Sequence, residues 1–138
     1  MSSEREPPIV AGAVVEMAPG PAYAVRIRTG HHDLVGDEPH DNGGADAGPS
    51  PFGLLLASLG SCTAITLRMY AERKSWKLTN VEVRLFYRWN GDQPVIERTL
   101  TLTGELDETQ CTRIAEIAEK TPVTRALRAG VDIRTTLR

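Results

Sequence analysis

The segment that most limits what this chain can fold into is "GPSPFGLLLASLGSCTAITLRMYAERKSW", residues 48–76. Pro51 suits the first helical position, where a missing N–H costs nothing, and Ser50 before it is of the capping type. A helix is expected from Pro51 to about Lys74, and up to Arg68 it is apolar nearly all round. Such a helix must be covered on most sides. A chain of 138 residues with one other substantial helix has little material for that, so a second copy is expected to share the burial. The apolar run Phe52–Leu67 is interrupted by Ser58, Gly60, Ser61, Cys62, Thr63 and Thr66 and ends before Arg68. It therefore reads as short of the roughly 20 apolar residues that cross a bilayer.

Residues 1–8 read as a loose tail and 9–138 as one domain, since the length is that of a single core. Net charge is −2, with basic and acidic residues mixed along the chain. Without a basic stripe, neither nucleic acid nor an anionic membrane is an expected partner. The start, "MSSEREPPIV", lacks the apolar core of a secretory signal, and only two cysteines occur. A cytoplasmic setting is expected, where a thiol is reactive or buried rather than part of a structural disulfide.

Around the helix the pattern is that of strands and shorter helices. "IVAGAVVEM" and "AYAVRIRTG", separated by "APGP", read as a strand pair. In the second, Tyr23, Val25 and Ile27 are expected on one side and Ala24, Arg26 and Arg28 on the other. "HHDLVGDEP" is a candidate third strand, and "HDNGGADAGPSP" a long loop. "VEVRLFYRW" alternates, with Val81, Val83, Leu85, Tyr87 and Trp89 expected inward. "NGDQP" then turns it into "VIERTLTLTG", where Ile96, Leu100 and Leu102 share a face with Arg98. In "LDETQCTRIAEIAEK" Asp107 is a cap with Gln110 at the third helical position. "TPVTRALRAG" begins with Thr121 as a cap before Pro122 and stops at Gly130, and "VDIRTTL" reads as a last strand. The order ββ(β)–α–ββ–α–α–β makes the fold class α+β.

From "GDEPHDNGGADAGPSPFGLLLASLGSCTAITLRMYAERKSW" through "VEVRL" to "RIAEIAEKTPVTRAL" the chain resembles the osmotically inducible protein C family (OsmC), which includes the organic hydroperoxide resistance proteins (Ohr). The resemblance implies an intertwined homodimer with central long helices and outer antiparallel sheets. It also implies a thiol site at the subunit interface that reduces organic hydroperoxides, with no cofactor and no metal. Peroxidase branches of the family combine a peroxidatic cysteine in the central helix, a resolving cysteine before Pro-Val, a glutamate after the helix-opening proline and an arginine from an early strand. Cys62 matches the first, and Arg26 or Arg28 the last. Thr121 stands at the resolving position, Phe52 at the glutamate and Thr124 where members commonly have histidine. The chain thus resembles a branch without the usual resolving cysteine and active-site glutamate. Two functions are open: one-cysteine reduction of peroxides with an external thiol or dithiol donor, or binding of a hydrophobic small molecule without catalysis.

Each candidate residue also has a plainer reading. Cys62 is a small buried side chain unless it is the nucleophile. In mid-helix its own helix dipole gives no help, so an arginine close by is expected for reactivity. Cys111 is either a displaced resolving cysteine or a core residue sharing a face with Ala115 and Ala118. Thr121 is a cap whose hydroxyl accepts from the backbone. His31, His32 and His40, with Asp33, Asp37, Glu38 and Asp41, fit no metal-ligand spacing and read as a solvated loop. The alternative reading is that Asp37 or Glu38 supplies the carboxylate missing at Phe52.

Overall fold

The computed structural model describes residues 5–20 and 23–138, and these fall in two compact units, Met1–Leu54 and Leu55–Arg138. Residues 1–4 of the expected tail, with Pro21 and Ala22 between the first two strands, lie outside the described residues. The architecture is α+β, with antiparallel sheets and three helices.

In the first unit, β1 (Ala13–Met17), β2 (Val25–Thr29) and β3 (His32–Gly36) form an antiparallel sheet in sequence order. Val15 pairs with Ile27, and Ile27 with Leu34. Along β2, Val25 and Ile27 are half-buried while Arg26 and Arg28 are exposed, as the alternation requires. Ala24 and Tyr23 reverse the sides expected for them. Both precede the strand, where alternation no longer applies, and Ala24 is buried while Tyr23 is exposed.

The loop after β3 is organised by one buried carboxylate. Asp37 is 1% exposed. Its Oδ1 accepts from Glu38 N at 2.7 Å, and its Oδ2 from Ala45 N at 3.2 Å and Ala47 N at 3.1 Å. These bonds, led by that from Ala47, hold the carboxyl below its ordinary range against the opposing effect of desolvation. The reading of this whole segment as solvated therefore fails at Asp37, because a polar loop that closes on itself needs an acceptor for its inward N–H groups.

Helix α1 (Pro51–Arg73) starts as expected, with Gly53 N donating to Ser50 Oγ at 3.0 Å. It ends where Ser75 turns left-handed (φ 56°) and Trp76 N reaches back to Ala71 O at 2.9 Å. By length and composition α1 is long and apolar enough to cross a membrane, with mean hydropathy 1.4 over 18 residues. The expected shortfall does not hold by that measure, since Ser, Thr and Gly lower the mean little beside the leucines of 52–67. One face packs inward: Leu59, Thr63, Leu67 and Ala71 form a buried stripe at helical spacing. Other apolar residues stand out, with Ile65 55% and Met69 58% exposed.

In the second unit β4 (Lys77–Asn90) pairs with β5 (Gln93–Glu105) through a two-residue turn in which Gly91 takes φ 62°. Helix and hairpin lie so close that a Cβ at Gly60 would stand 2.9 Å from Leu85 Cδ1. Val81, Val83, Leu85 and Tyr87 are half-buried, but Trp89 is 65% exposed, because it sits at the tip of the hairpin beyond the apolar layer. Helix α2 (Glu108–Ala118) carries the full capping box between Asp107 and Gln110. Leu67, Ile114 and Ala118 form the core, with Trp76, Val81, Leu100, Leu102, Leu106 and Ile117 around them.

Helix α3 (Pro122–Ala129) ends at Gly130, φ 77°. The expected last strand does not form. Val131, Ile133 and Leu137 are exposed at 69, 84 and 95%, since a strand exists only through a ladder partner and none pairs with them among the described residues.

Candidate functional site

Cys62 sits on α1 beside the buried stripe and is a free, half-buried thiol. Val123 N approaches Cys62 Sγ at 3.5 Å. Thr121 is the N-cap of α3 and Pro122 its first residue, which makes Val123 N one of the opening N–H groups that the helix itself leaves unpaired. Mid-helix placement gave no reason to expect an amide partner from α1 itself, and the amide that meets the sulfur belongs to a second helix.

One guanidinium organises the surroundings. Arg98 comes from β5, on the inward face with Ile96 and Leu100, and its side chain is 11% exposed. Its Nη1 donates to Thr63 Oγ1 at 3.0 Å and to Thr124 Oγ1 at 2.9 Å, and its Nη2 to Ala118 O at 3.0 Å. Thr63 Oγ1 in turn donates to Leu59 O at 2.7 Å. The Thr121 and Thr124 hydroxyls are 2.7 Å apart. Thr121 thus occupies the cap position, but its hydroxyl makes no cap bond and turns to Thr124 instead. Among the described residues no buried side-chain nitrogen or oxygen lacks a partner.

Glu119 closes the network toward solvent. Its carboxylate lies 3.6 Å from Arg98 Nη2 and pairs with Arg128. The Arg128 hydrogen bond comes first among the causes that hold Glu119 below its ordinary range, followed by the charges of Arg128 and Arg98, against partial desolvation. Arg128 Nη1 also donates to Glu119 O at 3.1 Å, the helix-end carbonyl contact that suits a late-helix arginine.

Beside this network lies a cleft of about 620 Å³, with Leu55, Leu59, Tyr87, Ile96 and Leu127 as its apolar walls. Arg98 and Thr124 belong both to the cleft and to the network that adjoins Cys62. Arg98, Glu119, Thr124 and Arg128 give the cleft a polar side in addition to those walls, a mixture that suits a small amphiphilic molecule.

The other candidates have surroundings of their own. Arg26 and Arg28 are exposed on β2 and pair with Glu16 at 3.8 Å and Asp33 at 3.6 Å. Phe52 is in the first turn of α1 and 52% exposed. Both oxygens of Asp37 serve the loop, and Glu38 Oε2 accepts from Asn42 Nδ2 at 3.2 Å. Cys111 is a free, half-buried thiol in the first turn of α2. It shares its stripe with Ile114 and Ala118, whereas Ala115 is exposed, because positions three and seven residues on, not four, face the core here. The His31 and His32 rings lie with centroids 4.1 Å apart and planes tilted by 37°, and no cluster able to hold a metal occurs among the described residues. Arg98 is the residue that sequence reasoning placed without giving it a role. Its signal was a charge on the inward face of "VIERTLTLTG".

Residues 43–136 match the family described as OsmC-like protein, which takes in α1, the hairpin, α2 and α3. The chain belongs to the OsmC-like protein family. Solved structures agree with that fold. An OsmC-like protein from Mycoplasma pneumoniae is 12% identical, covers 91% of this chain and 89% of its own, and superposes with a TM-score of 0.74. The organic hydroperoxide resistance protein OsmC of Legionella pneumophila is 19% identical, with coverages of 92 and 95% and a TM-score of 0.62. The organic hydroperoxide resistance protein OhrB of Bacillus subtilis is 21% identical, with coverages of 90 and 94% and a TM-score of 0.57. Among curated proteins none matches the chain.

Proposed function

We propose that this OsmC-like protein reduces organic hydroperoxides through Cys62, as one cysteine served by an external thiol or dithiol. The observation that carries the reading is the Val123 N–H donated to Sγ of the half-buried Cys62, with Thr124, the residue after Val123, lining the cleft. The thiolate attacks the terminal oxygen of the peroxide, and the O–O bond breaks heterolytically. Sulfur loses two electrons and becomes the sulfenic acid, while the departing alkoxide takes up a proton and leaves as the alcohol. One donor thiol then displaces water from the sulfenic acid to give a mixed disulfide. A second donor thiol releases Cys62 as the thiol and departs in the donor disulfide. Thr121, at the position before Pro-Val, has no sulfur to take that part. An alkyl substituent leaves water to enter the cleft, which favours organic peroxides over hydrogen peroxide.

The reading includes an intertwined homodimer in a cytoplasmic setting, whose second copy covers the apolar residues that α1 leaves exposed. Peroxide consumption with a dithiol donor tests the chemistry: it persists in Cys111→Ala and vanishes in Cys62→Ala. Equal turnover by Cys62→Ala and wild type would refute it.

A non-catalytic binding role is favoured by a different observation. The hydroxyls of Thr63, Thr121 and Thr124 and the guanidinium of Arg98 already satisfy one another, leaving an apolar cleft with a settled polar floor. Intact mass after stoichiometric cumene hydroperoxide separates the two roles. Added oxygen on Cys62 supports catalysis, and an unchanged mass supports binding.

A further inference from the structure

We infer that Arg98 is the positioning residue of the thiol site: through Thr63 and Thr124 it fixes the distance between Cys62 Sγ and the Val123 amide. The inference rests on the reading of Cys62 as the working thiol. The geometry behind it is local. Thr63 follows Cys62 on α1, and Thr124 follows Val123 on α3. A single nitrogen, Arg98 Nη1, donates to both hydroxyls, at 3.0 and 2.9 Å, and so ties together the two backbones whose previous residues make the 3.5 Å N–H···S contact. The other nitrogen of the fork holds Ala118 O, the end of α2, from which the chain runs to the Thr121 cap of α3. Four elements, β5, α1, α2 and α3, therefore meet on one planar group.

A guanidinium is suited to this because its donors keep fixed directions, whereas an ammonium on a flexible stem does not. It is also held from behind. Strand β5 is paired along its length with β4, Arg98 lying opposite Leu85, and Glu119 stands 3.6 Å away on the open side. The hydrogen bonds of Arg98 go to Thr63, Thr124 and Ala118 and not to the sulfur or its amide donor, so it acts through the two threonines.

The test is the rate of Cys62 alkylation by iodoacetamide in the folded full chain, resolved from Cys111 by peptide mass spectrometry, with Cys111 as the internal reference. Loss of one hydrogen bond to the sulfur corresponds to about fivefold in rate, so Arg98→Met and Thr124→Val are expected to slow Cys62 about fivefold with Cys111 unchanged. Thr124→Ser, which keeps the hydroxyl, restores the wild-type rate. Should Arg98→Met fail to fold, Thr124→Val and Thr63→Val decide the matter with the arginine in place.

Three results would overturn the inference. One is a Cys62 rate unchanged or raised in folded Thr124→Val. Another is Cys62 and Cys111 changing in step, which marks general loosening. The third is Thr124→Ser no better than Thr124→Val. A wild-type Cys62 that reacts with iodoacetamide yet leaves peroxide untouched sinks the peroxidase reading and not this one.

Discussion

Replacing Ile65 and Met69 together by alanine is expected to dissociate the proposed homodimer. Both lie on α1 one turn apart, and they are 55 and 58% exposed in the single chain. Fully burying such a side chain contributes about 1.5–3 kcal/mol, so covering the remaining half contributes about 1 kcal/mol each. Two side chains on each of two copies give about 4 kcal/mol, or roughly a thousandfold in Kd. Alanine is the strongest helix former, so the change leaves α1 helical. Analytical ultracentrifugation across a dilution series reads the dissociation constant directly, with helix content checked by circular dichroism. A monomeric wild-type protein at micromolar concentration, or a double variant whose constant stays within about tenfold of wild type, would refute the reasoning.

Three further outcomes follow from other parts of the molecule. Leu67→Ala removes a side chain with no exposed surface from the cluster with Ile114 and Ala118; it should cost about 3 kcal/mol in denaturant unfolding, and a loss under about 1 kcal/mol would mean the site collapses around the cavity. Asp37 has a folded-state value lowered chiefly by the Ala47 amide, so its contribution is present above the ordinary carboxylate range and is lost as pH falls through the lower folded value. Asp37→Asn should therefore be less stable than wild type at neutral pH, with the gap narrowing as pH drops below about 4; a gap constant down to about pH 2 contradicts the assignment. Thr121→Cys restores a thiol at the cap of the helix whose amide faces Cys62. Stoichiometric peroxide should then yield an intramolecular disulfide, seen as a loss of two hydrogen masses, and accumulation of sulfenic or sulfinic acid on Cys62 instead would count against the placement.

Periodicity and capping residues wrote most of the secondary structure. Ser50 and Pro51 opened α1, Asp107 and Gln110 opened α2, and the alternation from Val81 to Tyr87 set the face of the hairpin. These are local matters, settled by neighbours three or four residues apart, and the sequence states them directly. "VDIRTTL" alternates just as well and forms no strand, because pairing needs a second chain segment that local pattern cannot supply.

The site divides along the same line. Cys62 and the positions of Thr121 and Thr124 were legible, since a motif fixes them in one dimension. What they touch was not. Residues distant along the chain meet at the thiol: Val123 at its sulfur, Arg98 at the next residue, and Ala118 at the far side of the same guanidinium. A charge in an apolar strand marks only a buried cation in need of partners. Which carbonyl and which hydroxyls satisfy it depends on three helices converging over β5, and long-range packing alone brings them there.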